Sequence, residues 1–289
     1  MTWRIYQVIL RLRSPLHIGC GKVGNLQRTR PYVTGRVLWG ALTMRLTRDD
    51  CAGKGPATDS PTYRKFGDKV HGYLAFTYFY PALKSDAGYR VAWPWADEST
   101  FRRRFLSSYQ GTALSYPSQS AAEGMLHEVE FVSPHTLDTG EAVFLKGYVF
   151  EQEGCYLNWR SALKRLQMGG ERGYGWGDVQ VVQVSKVQNN HLFDGQVTFE
   201  DNNERPIIRL PKDGRLLAHT RTDDLPASGD VEPLVGREWQ SDADDPRRRY
   251  AGQYVKFSDV YFTPGSVTLQ ALDFAVNEYG IWRKLGDRA

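Results

Sequence analysis

The first dozen residues alternate between apolar and polar positions. One set of alternate positions holds Tyr6, Val8, Leu10 and Leu12, and the other holds Trp3, Gln7, Arg11 and Arg13. A period of two is typical of a β-strand with one face in the core and one toward solvent. We therefore predict a half-buried strand over residues 3–13.

Two later segments carry apolar residues at helical spacing. Their apolar faces are Leu38, Ala41, Leu42 and Leu46 in the first, and Trp159, Ala162, Leu163 and Leu166 in the second. Thr34 and Asn158 stand where N-caps belong, and Gly169 can end the second helix with a positive φ. The pattern predicts two amphipathic helices.

The other segments predict strands separated by loops. Strands are expected at 72–81, 89–95, 127–133, 142–150 and 179–187, and loops at 19–30 and 49–70. Arg102, Arg103 and Arg104 lie in a mixed segment that is compatible with a helix, and residues 107–124 are expected to be mobile. After residue 187, short apolar runs and two better strands, at 253–262 and 266–274, indicate further β-structure.

This order of elements indicates an α+β protein with two domains. Residues 1–187 follow the order of a ferredoxin-like (RRM-like) βαββαβ domain with insertions. Residues 188–289 are predicted to form a smaller, β-rich C-terminal domain.

Composition is that of a globular protein. The chain has 289 residues, of which 41% are hydrophobic and 24% charged, and no apolar run is long enough to cross a membrane. Cys20, Cys51 and Cys155 are far apart and form no CxxC pair, so neither a disulfide framework nor a cysteine zinc site is expected. We expect a cytoplasmic protein with no metal, no other cofactor and no membrane partner.

Charge is unevenly distributed along the chain. Residues 1–177 hold 23 Lys and Arg against 15 Asp and Glu, whereas residues 178–289 hold 14 against 18. The first 48 residues contain nine basic residues and no acidic one. A basic half suggests a polyanion partner, although a solvated basic surface would give the same count.

A glycine-rich loop follows the second predicted helix. Five of its nine residues, 169–177, are glycine, with Arg172, Tyr174 and Trp176 between them. Backbone amides in such a loop can bind phosphate, and exposed aromatic rings can stack on unpaired bases. The loop lies between a helix and a strand, the reverse of a dinucleotide-binding fingerprint.

Three motifs in this order resemble the RAMP superfamily of CRISPR-associated proteins. They are the turn His17-Ile18-Gly19-Cys20-Gly21, the helix start Thr34 to Leu42 with Gly35 and Gly40, and the loop 169–177. A late Pro264-Gly265-Ser266-Val267 is similar to Cas family five, the subunit that caps the 5′ handle of the guide RNA (crRNA) in type III and related effector complexes.

The resemblance implies an RNA-binding, non-catalytic subunit. Its partners would be the crRNA 5′ handle, the backbone RAMP subunits and, where present, a large subunit or effector nuclease, with target RNA or DNA contacted indirectly. The implied RNA-binding residues are His17, Gly19, Gly21, Lys22, Arg28, Arg30, Arg36, Trp39, Arg45, Gly169, Gly170, Arg172, Gly173, Tyr174, Gly175 and Trp176.

Two catalytic alternatives stay open. Related RAMP endoribonucleases process precursor crRNA with a histidine as general acid and base, and His17 is the one histidine beside a family motif. Backbone RAMP subunits cut target RNA with a loop aspartate, for which Asp49 or Asp50 could serve.

Overall fold

The computed structural model describes residues 2–52, 60–116, 118–201, 204–239 and 254–286. The protein is mixed α/β and strand-rich. Its helices are α1 Gly35–Asp50, α2 Ser60–Tyr73, α3 Glu98–Phe105 and α4 Trp159–Leu163. Among the described residues, no helix is both long and apolar enough to cross a membrane.

Most of the strands belong to three sheets. They are β1 Trp3–Leu12, β2 Gly19–Val23, β3 Leu26–Thr29, β4 Leu74–Phe76, β5 Tyr80–Ser85, β6 Gly88–Val91, β7 Leu106–Gly111, β8 Leu114–Ser115, β9 Ser120–Ala121, β10 His127–Val132, β11 Phe144–Gln152, β12 Val179–Lys186, β13 His191–Leu192, β14 Val197–Glu200, β15 Ile207–Leu210, β16 Thr220–Arg221, β17 Ala227–Ser228, β18 Val231–Glu238, β19 Tyr254–Phe262, β20 Val267–Thr268, β21 Leu272–Val276 and β22 Trp282–Lys284.

The first sheet has β1 near its centre. Its order is β12-β1-β11-β5-β6, with β4 also paired to β11, and its strand pairs are antiparallel. Val8, Leu10 and Leu12 of β1 face a core that includes the apolar faces of α1, α2 and α4. The predicted strand 3–13 and the predicted inward face of the first helix are therefore confirmed.

The prediction that β1 is only half buried is wrong. Trp3 and Ile5 pack into a second core, and Ile9 packs against a third, smaller cluster. The second core is completed by residues of the C-terminal sheet, among them Phe274 and Trp282. That sheet has the order β13-β14-β15-β21-β22-β16-β19-β18. It covers part of the face that the sequence pattern assigned to solvent.

A four-stranded sheet has the order β2-β3-β10-β7. Its strand β10 lies within the predicted strand 127–133, whereas β2, β3 and most of β7 lie where a loop or a mobile stretch was predicted. Residues 19–30 form the β2–β3 hairpin rather than a loop, because β3 pairs with β10 and so gains ladder hydrogen bonds from a distant segment. The stretch 107–124, predicted to be mobile, contains most of β7 together with β8 and β9.

Other element predictions need smaller corrections. Helix α2 occupies residues 60–70 of the predicted loop 49–70, and residues 53–59 lie outside the described part of the chain. The predicted strand 72–81 is divided between the end of α2, β4 and β5. Helix α4 ends at Leu163, well before Gly169. Thr34 and Asn158 stand at the N-cap positions, but neither side chain makes a capping hydrogen bond.

A buried polar cluster joins the N-terminal part of the chain to the C-terminal sheet. The Tyr78 hydroxyl lies 2.7 Å from His219 Nδ1, and His219 Nε2 lies 2.7 Å from Glu232. Arg30 makes a bidentate contact to the same carboxylate. Because Nε2 faces an acceptor that has no proton, Nε2 carries the hydrogen and Nδ1 accepts from Tyr78.

Ionisation in this cluster favours a neutral histidine beside a charged glutamate. Burial lowers the pKa of His219 below its ordinary value, and the bond to Glu232 only partly opposes that effect. Burial alone would raise the pKa of Glu232, but hydrogen bonds from His219 and Arg30 outweigh it and lower this pKa to about 2. Both groups therefore resist protonation in the folded protein.

We predict that acidification destabilises the fold through His219. In the unfolded chain a histidine takes up its proton near pH 6.5, whereas folded His219 stays neutral to lower pH. The free energy of unfolding should therefore fall as the pH drops below 6.5, by up to about 1.4 kcal/mol per pH unit for this group. Below about pH 4.5, protonation of Glu232 in the unfolded chain lowers the free energy of unfolding further.

Urea unfolding at a series of pH values checks this prediction. His219→Gln, which cannot titrate, should show a shallower decline between pH 6.5 and 5 than the wild type. His191→Gln, at an exposed position in β13, is the control and should keep the wild-type slope. Equal slopes for wild type and His219→Gln would contradict the assignment.

Candidate nucleic-acid interface

The glycine-rich loop, Gly169–Gly177, lies directly on the turn that follows β1. The amide of Gly170 donates to the carbonyl of His17 (2.9 Å), and the amide of Gly177 donates to the carbonyl of Pro15 (2.7 Å). The next amide, of Asp178, donates to the Ser14 hydroxyl (2.9 Å). The first and third sequence motifs therefore meet in space.

Glycine is required at both ends of this loop. Gly169 has φ +80°, and a β-carbon there would lie 2.3 Å from the His17 carbonyl oxygen. Gly177 has φ +78°, and its β-carbon would lie 1.8 Å from the Met168 carbonyl oxygen. At the tip of the loop, by contrast, β-carbons on Gly173 and Gly175 would meet nothing within 4 Å. The loop is anchored at its ends and open in the middle.

The side chain of His17 packs beneath the contact between the glycine-rich loop and the turn after β1. Its side chain is only 6% exposed, and its Nδ1 lies 2.7 Å from the carbonyl oxygen of Glu130, to which it must donate. The other ring edge faces Gly19 and Gly170, where β-carbons would lie 3.2 Å from Nε2 and 3.0 Å from Cδ2. The His17 ring therefore fills the space between Gly19 and Gly170, and its hydrogen bond to β10 fixes its orientation.

The tip of the loop presents two side chains to solvent. Arg172 is exposed, with Nη1 3.5 Å from Met44 Sδ of α1, and Tyr174 is 78% exposed. Both belong to a short 3-10 turn, Arg172–Tyr174. Gln167 holds the turn from inside by donating to the carbonyls of Arg172 (3.1 Å) and Trp176 (2.9 Å).

Trp176 is less available than Tyr174. Its ring is partly buried and meets Phe131 edge-on, with centroids 5.0 Å apart, and also approaches Tyr109 at 6.3 Å. The loop therefore offers one fully free aromatic ring, that of Tyr174.

The β2–β3 hairpin adds cations beside the same turn. Lys22 is exposed and Arg28 is partly exposed. Lys22 pairs with Gln27, whereas Arg28 pairs with Gly21, one position further along the ladder. Because neighbouring positions on a strand face opposite sides, the two cations project from opposite faces of the hairpin.

Three predicted RNA-binding residues contact other parts of the chain and a fourth is only partly exposed, so we leave these four out of the candidate site. Arg30 is paired with Glu232 in the buried cluster. Arg36 lies over the Tyr279 ring at 4.8 Å. Trp39 stacks on His71 at 4.8 Å and donates to the Gly67 carbonyl. Arg45 is only partly exposed, and its Nε is buried without a hydrogen-bond partner.

Two residues that the sequence did not single out help to build the site. Glu130 of β10 binds His17 through its backbone carbonyl, and its carboxylate accepts from the amide of Thr29 (2.9 Å) and from Arg102. Gln167 holds the loop turn as described above. Periodicity could not have revealed either one, because their partners are set by the fold.

The structure shows a partner for one of the aspartates proposed for catalysis. Asp49 forms an ion pair with Arg165 at 2.6 Å. Across the described ranges, no group of three or more His, Cys, Asp or Glu side chains is placed to hold a metal ion.

A family model supports the interpretation of the motifs. The RAMP superfamily model matches residues 9–180, more than half of the chain, which includes the N-terminal turn, helix α1 and the whole glycine-rich loop. The chain therefore belongs to the RAMP superfamily. No curated protein sequence matches it significantly.

Two solved structures show a distant likeness in shape. One is a chain of "Type III-B Cmr-beta Cryo-EM structure of the Apo state", with 9% identity and a TM-score of 0.39 over 64% of this chain and 97% of that one. The other is a chain of "Cryo-EM structure of the Type III-B Cmr-beta bound to cognate target RNA", with 10% identity and a TM-score of 0.36 over 61% of this chain and 96% of that one. Likeness at this level carries no argument about function.

We predict that Gly177→Ala is far more damaging than Gly175→Ala. Both glycines have φ near +80°, so alanine costs about 1–2 kcal/mol of backbone strain at either position. Only at Gly177 must the backbone also move away from Met168, which should bring the total to roughly 3–4 kcal/mol.

Thermal unfolding of the two variants checks this difference. Gly175→Ala is the matched control, since it carries the strain without the collision. Similar losses in the two proteins would contradict the close packing at Gly177.

Proposed function

We propose that this protein is an RNA-binding subunit of a CRISPR effector ribonucleoprotein, where it anchors the 5′ handle of crRNA and caps the backbone filament. Its partners would be backbone RAMP subunits and, where present, a large subunit or effector nuclease. The observation that carries the proposal is the glycine-rich loop, which is anchored on the family's N-terminal turn and presents Arg172 and Tyr174 to solvent.

We assign the first sheet and its helices to a ferredoxin-like domain. The sheet order β12-β1-β11-β5 supports this assignment, because it equals the fourth, first, third and second strands of a βαββαβ unit. Helices α1 and α2 precede the second of these strands, and α4 precedes the fourth.

The open tip of the loop suits a single-stranded RNA. A β-carbon on Gly173 or Gly175 would meet nothing within 4 Å, so a phosphate can approach the backbone closely there. The amides of Tyr174 and Gly175 already donate to the carbonyls of Glu171 and Arg172. The Arg172 guanidinium can contact the same phosphate with paired donors. Tyr174 offers a ring face on which an unpaired base can stack. Lys22 extends the cationic surface to the β2–β3 hairpin.

We further propose that the chain does not cleave RNA through His17. A general acid or base must reach the proton that it transfers. His17 is buried, donates to the Glu130 carbonyl and packs against Gly19 and Gly170, which supports a positioning role. Site-specific, metal-independent cleavage of precursor repeat RNA that disappears in His17→Ala would overturn this proposal.

The RNA that copurifies with the chain provides the main test. The protein is expressed together with a CRISPR array and its effector genes, and the bound small RNAs are sequenced. A population with one common 5′ tag is expected. Random fragments, or no RNA at all, would count against handle anchoring.

We predict that Arg172→Ala weakens RNA binding and flattens its salt dependence. Each lost phosphate contact on single-stranded RNA lowers the slope of log K against log salt by about 0.7. The measurement is fluorescence anisotropy with a 3′-labelled mixed-sequence RNA at several salt concentrations.

Lys212→Ala is the matched control for that experiment. Lys212 is exposed on a turn of the C-terminal region, so its loss removes the same charge from a different surface. A slope change of equal size in both variants would mean that the effect is one of overall charge.

A further inference from the structure

One face of the β2-β3-β10-β7 sheet continues the surface of the glycine-rich loop. In the strand register, Lys22 pairs with Gln27, Gln27 with Val129, and Val129 with Tyr109. Paired residues share a face, so these four side chains form one row across the sheet. With neighbouring strands about 4.8 Å apart, the row is about 14 Å long.

Trp176 connects this row to the loop. It packs edge-on against Phe131, which lies on the same face two positions from Val129, and it approaches Tyr109. Val129 is buried in the row. Tyr109, however, is 64% exposed, so its ring is held at one edge and open to solvent on the remainder.

The two faces of the β2-β3-β10-β7 sheet differ in charge. The positions that share a face with Tyr109 are Ser107, Gly111, His127, Val129, Phe131, Gln27 and Lys22, and none of them is acidic. The opposite face carries Glu128 and Glu130. An exposed aromatic ring on a sheet face that also carries a cation, with no carboxylate between them, suits single-stranded nucleic acid, whose bases stack and whose backbone is anionic.

We propose that this sheet face is a second nucleotide-binding surface, on which Tyr109 stacks an unpaired base and Lys22 contacts its backbone. It would hold nucleotides next to those bound by the glycine-rich loop. The proposal rests on the RNA-binding function proposed above and extends its path across a sheet that the motifs do not reach.

Tyr109→Leu tests the stacking, because leucine keeps an apolar contact for Trp176 but has no ring face. Tyr109→Phe keeps the ring and should bind like the wild type. Tyr156→Leu is the matched control: Tyr156 is similarly exposed, at 61%, and packs beside Tyr73 outside this sheet. Binding of a mixed-sequence RNA of about 16 nucleotides is measured by anisotropy. Tyr109→Leu should weaken it roughly 5- to 150-fold, as expected for one lost base stack.

Crosslinking with RNA that contains 4-thiouridine gives a second readout. In the wild type, crosslinks are expected in the peptide that contains β7 as well as in the peptide that contains the glycine-rich loop. Tyr109→Leu should lose the β7 crosslinks and keep those of the loop.

The outcomes separate this proposal from the one it rests on. Crosslinks confined to the loop, with wild-type affinity in Tyr109→Leu and reduced affinity in Arg172→Ala, would overturn the sheet surface and leave the loop site standing. Equal weakening in Tyr109→Leu and Tyr109→Phe would also overturn it, since the ring would then have no role. Absence of RNA binding in every protein, the wild type included, would remove both proposals.

Discussion

The candidate site depends on two close backbone-to-backbone contacts of the glycine-rich loop, neither of which leaves room for a β-carbon. Gly169 lies against the carbonyl of His17, and Gly177 lies against that of Met168. The first contact ties the segment after α4 to the turn after β1, although most of the matched family region separates them along the chain. The second contact brings the two ends of the loop together. Because the anchoring hydrogen bonds use the two ends of the loop, the side chains of Arg172 and Tyr174 stay exposed at its tip.

Elements with strong local patterns could be predicted from the sequence, while their surroundings could not. The strand β1 and the helix α1 follow from periodicity. The strands β10, β11 and β12 lie largely within other segments predicted as strands. Burial of Trp3 and Ile5 does not, because the covering residues belong to the C-terminal sheet. The β2–β3 hairpin was missed for a related reason. Its glycines favour a loop locally, and only pairing with β10 makes it a sheet.

For the motif residues, too, some features could be predicted from the sequence and others depended on partners distant in the chain. The hydrogen bond from the Gly170 amide to the His17 carbonyl brings together two of the motifs that resemble the RAMP superfamily. Basic and aromatic residues near a motif were more ambiguous, since their type suits either RNA or an internal partner. Arg30 has Glu232, and Trp39 has His71. Both partners lie in segments with no recognisable signal, so the sequence could not decide between a surface role and an internal one.

The uneven distribution of charge divides the chain into a basic N-terminal half and an acidic C-terminal half. In the C-terminal sheet, Arg209 is shared by Glu200 and Asp273, and Arg221 by Asp223 and Asp259, so pairing there still leaves negative charge. A chain of this length has a radius of gyration of at least about 19 Å, against a screening length of about 8 Å in physiological salt. The two halves therefore act separately on a nearby phosphate. Under the proposed RNA-binding function, we expect the basic N-terminal half to attract the phosphates and the acidic C-terminal half to repel them, so that the RNA would run across the N-terminal surface.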